Sequence, residues 1–201
     1  MTAVWAALLA AFVMWYFIFG VKLFNFWWSM TAAALILMVV ALWHQGPPVR
    51  LHQVNGRAIL IGLSAAVILY TVFWAGNIVS RWLFSFAGTQ IAAVYDNKAQ
   101  ASPYLIALLL ALFIGPGEEI FWRGFIQDRL AARWGDWAGF LAATVAYALV
   151  HVWSGNLILM LAALIGGLFW GWLYKQTGSL VPGIVSHAVW DLAIFILFPL
   201  A

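Results

Sequence analysis

Apolar residues run along this chain in long unbroken stretches, and polar residues interrupt them at only a few places. Residues 3–20 and 26–43 are two such runs, separated by Lys22 and Asn25. His44 to Arg57, with Gly46-Pro47-Pro48, reads as a polar loop, and residues 58–79 form a third run. From Arg81 to about Ser102 the pattern weakens into an amphipathic piece and then a loop carrying Asp96, Asn97, Lys98 and Gln100. Tyr104 to Arg133 is a long helical stretch that Gly115-Pro116-Gly117 is expected to interrupt. Residues 137–153 and 157–174 are joined by the short Ser154-Gly155-Asn156, and Thr177-Gly178-Ser179 turns the chain into a last run over about 180–199. A membrane-spanning helix needs about 20 mostly apolar residues. The pattern therefore predicts an all-α, polytopic helical bundle with seven spans, and 81–104 is the one segment on which an eighth would turn.

Composition strengthens this picture. Of the 201 residues, 67% are hydrophobic and 7% charged, against roughly 25% charged in a soluble domain. Water would not tolerate that much apolar surface, whereas lipid solvates it. The chain reads as one multi-pass membrane domain. The net charge of +3 is spread over few residues with no basic run, so no nucleic-acid partner is expected. Cysteine is absent, which removes disulfides, thiolate metal ligands and a cysteine nucleophile together. Met1-Thr2-Ala3-Val4 lacks a positive n-region, so the first run is read as a retained span. Many of the 14 tryptophans (Trp27, Trp43, Trp82, Trp134, Trp137, Trp153) sit near span ends and are expected to be interfacial anchors. Gly166-Gly167 and Gly171 read as close helix packing. With seven spans, Arg50, Arg57, Arg129, Arg133 and Lys175 fall on the N-terminal side and Lys22, Arg81 and Lys98 on the other, which slightly favours a cytoplasmic N-terminus.

Six ionisable residues lie inside or at the edge of apolar runs: Glu118, Glu119, Arg123, His151, His187 and Asp191. A charge there costs about 2.5–3.5 kcal/mol on insertion scales, so such residues need partners and are functional candidates by default. Glu119 and Arg123 are four apart and share a helix face, as an ion pair requires. Glu118 is turned about 100° away, which leaves it the less neutralised carboxylate and the better general base. His187 and Asp191 are also four apart, so the aspartate is placed to fix the imidazole tautomer. Glu118 lies 16 residues before Trp134 and His151 15 residues after Asp136. At 1.5 Å per residue both would sit roughly 22–24 Å from that turn. His187 is only about 10 Å into the last run by the same measure, so it joins them only if that span starts deep. Arg81 and Asp128 read as interfacial residues.

A glutamate base, two histidines and an aspartate can activate water and stabilise an oxyanion. The same set, with Glu118, His151 and His187 as candidate ligands, could instead hold a divalent metal such as zinc with open positions. There is no H-E-x-x-H motif, no G-x-S-G pattern around Ser154, and only one clearly intramembrane aspartate for a two-aspartate dyad. Ser186 and His187 are adjacent and point to different helix faces, which argues against a serine nucleophile.

Glu118-Glu119-Ile120-Phe121-Trp122-Arg123 is an E-E-x-x-x-R motif followed by Gly124; Tyr147 to His151 is aromatic-x-x-x-H; His187 to Asp191 is H-x-x-x-[ND]. Three such motifs in this order on successive helices resemble the CPBP (ABI) family, which comprises type II CAAX prenyl endopeptidases and bacteriocin-processing or immunity proteins. The resemblance covers about residues 104–195 and divides the chain into N-terminal spans and loops (1–103) and a CPBP-like catalytic core (104–201). It implies an intramembrane endopeptidase of the glutamic type that hydrolyses a peptide bond of a membrane-associated protein or peptide. Glu118 and His151 would activate water, His187 and Asp191 would support the oxyanion, and Glu119 and Arg123 would order the site. No cofactor is required on this reading. Tyr147 stands where the family usually has Phe, a change expected to be harmless. Asp191 stands where the prenyl-protein enzymes have Asn; ionised, it cannot donate to an oxyanion, so it would orient His187 or must be protonated.

The resemblance places the protein in a bacterial-type cell membrane and leaves prenylation of the substrate open. Two other functions fit the residues. An immunity or assembly factor would keep the ion network for packing, and a transporter would use Glu and His as a proton relay. The chain lacks the internal two-fold repeat that many transporters show.

Overall fold

A computed structural model of the chain describes residues 1–45 and 53–200, so Gly46-Pro47-Pro48 and Arg50 lie outside the described residues. Seven helices among these residues are long and apolar enough to cross a membrane. They are α1 (Thr2–Val21), α2 (Phe26–Gln45), α3 (Gly56–Leu83), α5 (Pro103–Trp134), α6 (Asp136–Ser154), α7 (Leu157–Thr177) and α8 (Leu180–Leu197). The weak segment between the third and fourth spans forms a short helix, α4 (Ala87–Tyr95), and a 3₁₀ turn at Asp96–Gln100 rather than an open loop. It is not an eighth span. Local chemistry sets the helix ends. Asn55, Ser102, Asn156 and Ser179 each cap a first turn by accepting from a backbone N–H, and Pro103 follows its cap where its missing N–H costs nothing. Gly178 ends α7 in the left-handed region, φ +60°.

Helix α5 lies at the centre. Its most apolar stretch is 56% buried, more than that of any other span, and it touches α2, α6, α7 and α8. The expected interruption at Gly115-Pro116-Gly117 does not occur. The chain stays helical through it, with π turns at Leu110–Ile114 and Ile120–Gln127. The wider π turn before Pro116 accommodates a residue that has no N–H to donate. Polar contacts gather the helix ends at two opposite poles. Asn25 donates to the Gln100 carbonyl and Asn156 to that of Gln90, each at 2.7 Å, at one pole. Arg129 donates to the His44 carbonyl at 2.7 Å, and Tyr174 to Asp128 at 3.2 Å, at the other.

Glycine lets α8 approach its neighbours. A Cβ on Gly62 of α3 would come within 2.7 Å of the Val185 Cβ. Gly166, Gly167 and Gly171 lie in the tight packing expected of them, against Trp170, against Thr144 and Tyr147, and against Gln127 and Phe140 respectively. Tryptophan divides two ways. Trp43, Trp82, Trp134 and Trp137 are exposed as interfacial anchors should be, but Trp27 is buried and donates to the Asn97 carbonyl at 2.8 Å. A neighbouring polar turn, Asp96–Gln100, offers that indole an acceptor inside the protein.

Candidate active site

All six intramembrane ionisable residues are buried, none more than 6% exposed. The structure arranges them as two linked groups.

The first group is built on Glu119. Its Oε1 accepts from Arg123 Nη1 and from His187 Nδ1, both at 2.9 Å. Arg123 also reaches the Gly166 carbonyl at 3.4 Å and lies over the rings of Tyr147 and Trp170. The His187 ring stacks on Trp170, centroids 3.7 Å apart. Asp191 lies beside the other ring nitrogen, its Oδ2 3.8 Å from His187 Nε2, an ion-pair distance longer than a hydrogen bond, and that oxygen has no hydrogen-bond partner among the described residues. Glu119 holds Nδ1, because Arg123 fills only part of that carboxylate's capacity as an acceptor.

His187 does meet the glutamates, for a reason that lies in the helix register. Arg123 bonds to Gly166, Gln127 to Gly171, and Asp128 to Tyr174. This ladder runs α7 along the second half of α5, with Tyr174 beside Asp128. Gly183 of the last span lies against Glu119 and Ala188 against Gly115, so that span starts inside the level of the Trp134 turn and brings His187 to Glu119. Asp128 is a partner of Tyr174 and of Gln45 (3.4 Å) rather than a lone interfacial charge. Gly183 permits the approach of α8, since a Cβ there would come within 2.9 Å of Glu119 Oε2. Gly183→Ala should therefore push the carboxylate off its two donors. Overpacking of this kind costs about 1–3 kcal/mol, more than the roughly 1 kcal/mol gained in helix propensity. A lowered melting temperature of the detergent-solubilised variant is the expected reading.

The second group is built on Tyr147. Its hydroxyl donates to Glu118 Oε2 at 2.7 Å, and its carbonyl lies 2.8 Å from His151 Nδ1. A carbonyl can only accept, so Nδ1 carries the proton. Nε2 is then the acceptor of the Trp15 indole N–H at 3.3 Å, as the neutral tautomer requires. No hydrogen bond joins Glu118 to His151 directly; Tyr147 stands between them. Glu118 also lies within electrostatic reach of His187 and Arg123. Among the described residues no three His, Asp or Glu side chains are grouped to hold a metal ion. The candidate ligands point elsewhere: His151 to Tyr147 and Trp15, and His187 to Glu119.

Sequence reasoning missed three contributors. Trp15 comes from the first span, where no polar neighbour marks it. Trp170 sits in a glycine-rich stretch that reads as packing alone. Tyr147 carried a signal, because a phenolic hydroxyl in an apolar run must find a partner, and that partner is the candidate base.

The family comparison falls on this same half of the chain: the type II CAAX prenyl endopeptidase Rce1-like family matches residues 100–193. Over these residues the chain is similar to the CAAX protease family. The matched segment holds α5, α6, α7 and most of α8, and with them all six buried ionisable residues. Intramembrane endopeptidase activity of the CAAX type is the activity that the family carries, and a membrane protein is its class of substrate. No curated protein and no solved structure matches the chain. The first three spans lie outside the matched segment, yet α1 closes the site over His151 through Trp15 and Phe19.

Proposed function

We propose that the chain hydrolyses a peptide bond of a membrane-anchored protein or peptide close to its anchor, with Glu118 as the general base. One observation supports this choice above the rest. Of the two adjacent glutamates, Glu119 is neutralised by Arg123, while Glu118 is held by a neutral hydroxyl and has no ion-pair partner within 4 Å among the described residues. A carboxylate held in that way is both fixed and able to take a proton from water.

In this mechanism Glu118 removes a proton from a water molecule, and the resulting hydroxide attacks the scissile carbonyl carbon. His151 assists through Nε2, the only ring nitrogen with a lone pair, after the Trp15 N–H gives way to water. The carbonyl oxygen, now negative, is stabilised by His187, whose Nδ1 is anchored on Glu119 and whose Nε2 is left to donate. The proton held by Glu118 passes to the leaving amine as the C–N bond breaks. Glu119 and Arg123 keep the two helices in register. Asp191, 3.8 Å from His187 Nε2, supports that nitrogen's donor role. Since every one of these side chains is buried, the helices must part for a substrate to enter, and the Trp15–His151 contact must open for Nε2 to act.

This chemistry needs no metal. Cleavage of a reporter peptide in proteoliposomes should proceed unchanged in the presence of a zinc chelator, and loss of activity restored by added zinc would overturn the metal-free scheme. The same reporter should be cut when carried on a farnesyl or transmembrane anchor and spared when released as a soluble peptide. Equal cleavage of the soluble form would contradict the proposed substrate class.

A further inference from the structure

Tyr147 stands where three parts of the site meet. Its hydroxyl donates to Glu118 Oε2 at 2.7 Å, its carbonyl accepts from His151 Nδ1 at 2.8 Å, and its ring faces the Arg123 guanidinium at 4.9 Å. Trp122 packs edge-on against the same ring at 5.2 Å. We propose that Tyr147 is a positioning residue that sets Glu118 and His151 together, with its hydroxyl fixing the carboxylate and its carbonyl fixing the imidazole tautomer. The proposal rests on the reading of Glu118 as the base.

The physical case begins with flexibility. A glutamate side chain turns about three bonds and, in an apolar interior, has no water to hold it. A phenol turns about two, and here Arg123 and Trp122 restrain its ring. A single short hydrogen bond from a restrained donor therefore fixes Glu118 Oε2 and directs Oε1 away from the phenol. The histidine is fixed by the same residue through a different atom. One helical turn separates Tyr147 from His151, and the Tyr147 carbonyl accepts a hydrogen bond from Nδ1–H, so that Nε2 is left as an acceptor. Misplacing a reacting group by about 1 Å can cost on the order of 10²-fold in rate, so one residue holding both groups has a large effect on the catalytic step and a small one on substrate binding.

Tyr147→Phe tests this, since it removes the hydroxyl and keeps the ring. With the reporter that wild type cleaves, kcat should fall by about 10- to 100-fold, the factor that one hydrogen bond to a charged group is worth, while KM stays within about threefold. Glu118→Gln is run beside it. If Glu118→Gln is inactive and Tyr147→Phe keeps the wild-type kcat, the positioning role is overturned and the glutamate mechanism stands. If Glu118→Gln keeps wild-type activity, the glutamate mechanism itself has failed and the proposal goes with it. Should the Phe variant not fold, 4-fluorophenylalanine at position 147 keeps the ring and fills the place of the hydroxyl without a proton to donate. The proposal then expects the same fall in kcat at an unchanged melting temperature, and an unchanged kcat would overturn it.

Discussion

Glu118→Gln is expected to lower the rate of peptide cleavage by about 10²–10⁴-fold, the contribution of a positioned general base. The substitution is close to isosteric, and the amide oxygen can still accept from the Tyr147 hydroxyl that now serves Oε2. The fold should persist, with a melting temperature near that of wild type and an unchanged elution profile in detergent. What is lost is the capacity to take a proton from water. Glu118→Asp keeps the charge but withdraws it from both Tyr147 and the substrate, and it should fall between the two. The rate measured at saturating reporter, alongside the melting curve, separates a chemical defect from a structural one.

Arg123→Ala should instead act on stability, by about 3–5 kcal/mol, because it leaves a carboxylate buried without its cation. Arg123 is 2% exposed and Glu119 wholly buried. Glu119 would retain only His187, and the Gly166 carbonyl would lose its donor. The Arg123–Glu119 pair also locks α5 to α7 and α8, so its loss should loosen the register that brings His187 to the site. Arg123→Lys should recover little. A single ammonium cannot bond Glu119 and Gly166 from a planar fork while lying between the Tyr147 and Trp170 rings. The double change Glu119→Gln/Arg123→Met removes both charges and should be markedly more stable than Arg123→Ala, as measured by unfolding in denaturing detergent.

Much of the bundle could be read from hydropathy because lipid leaves few options: each backbone polar group must be satisfied within its own helix. The seven spans follow from that constraint, and the poles follow from the loops between them. Gly115-Pro116-Gly117 misled because breaker rules describe a helix in water. Here a π turn in a packed interior absorbs the proline. The Glu119–Arg123 pair was legible because a spacing of four is a distance on a helix. The same spacing sets Asp191 3.8 Å from His187 Nε2, but it gives no hint that Glu119, from another helix, takes Nδ1 at 2.9 Å. Contacts between helices are not encoded in spacing along one of them. For that reason Trp15, 136 residues from His151, carried no signal. Tyr147 did: its place in the second motif suggested an inert aromatic, but its hydroxyl makes a bond that Phe cannot.

The central claim is that this buried cluster hydrolyses a peptide bond with water activated by Glu118. The most direct measurement is mass spectrometry of a membrane-anchored reporter incubated with purified protein in proteoliposomes prepared in ¹⁸O water. The account predicts a cleaved product whose new carboxylate carries ¹⁸O with the wild-type protein, and uncut reporter with Glu118→Gln. Uncut reporter with wild type, or equal product from both proteins, would contradict it.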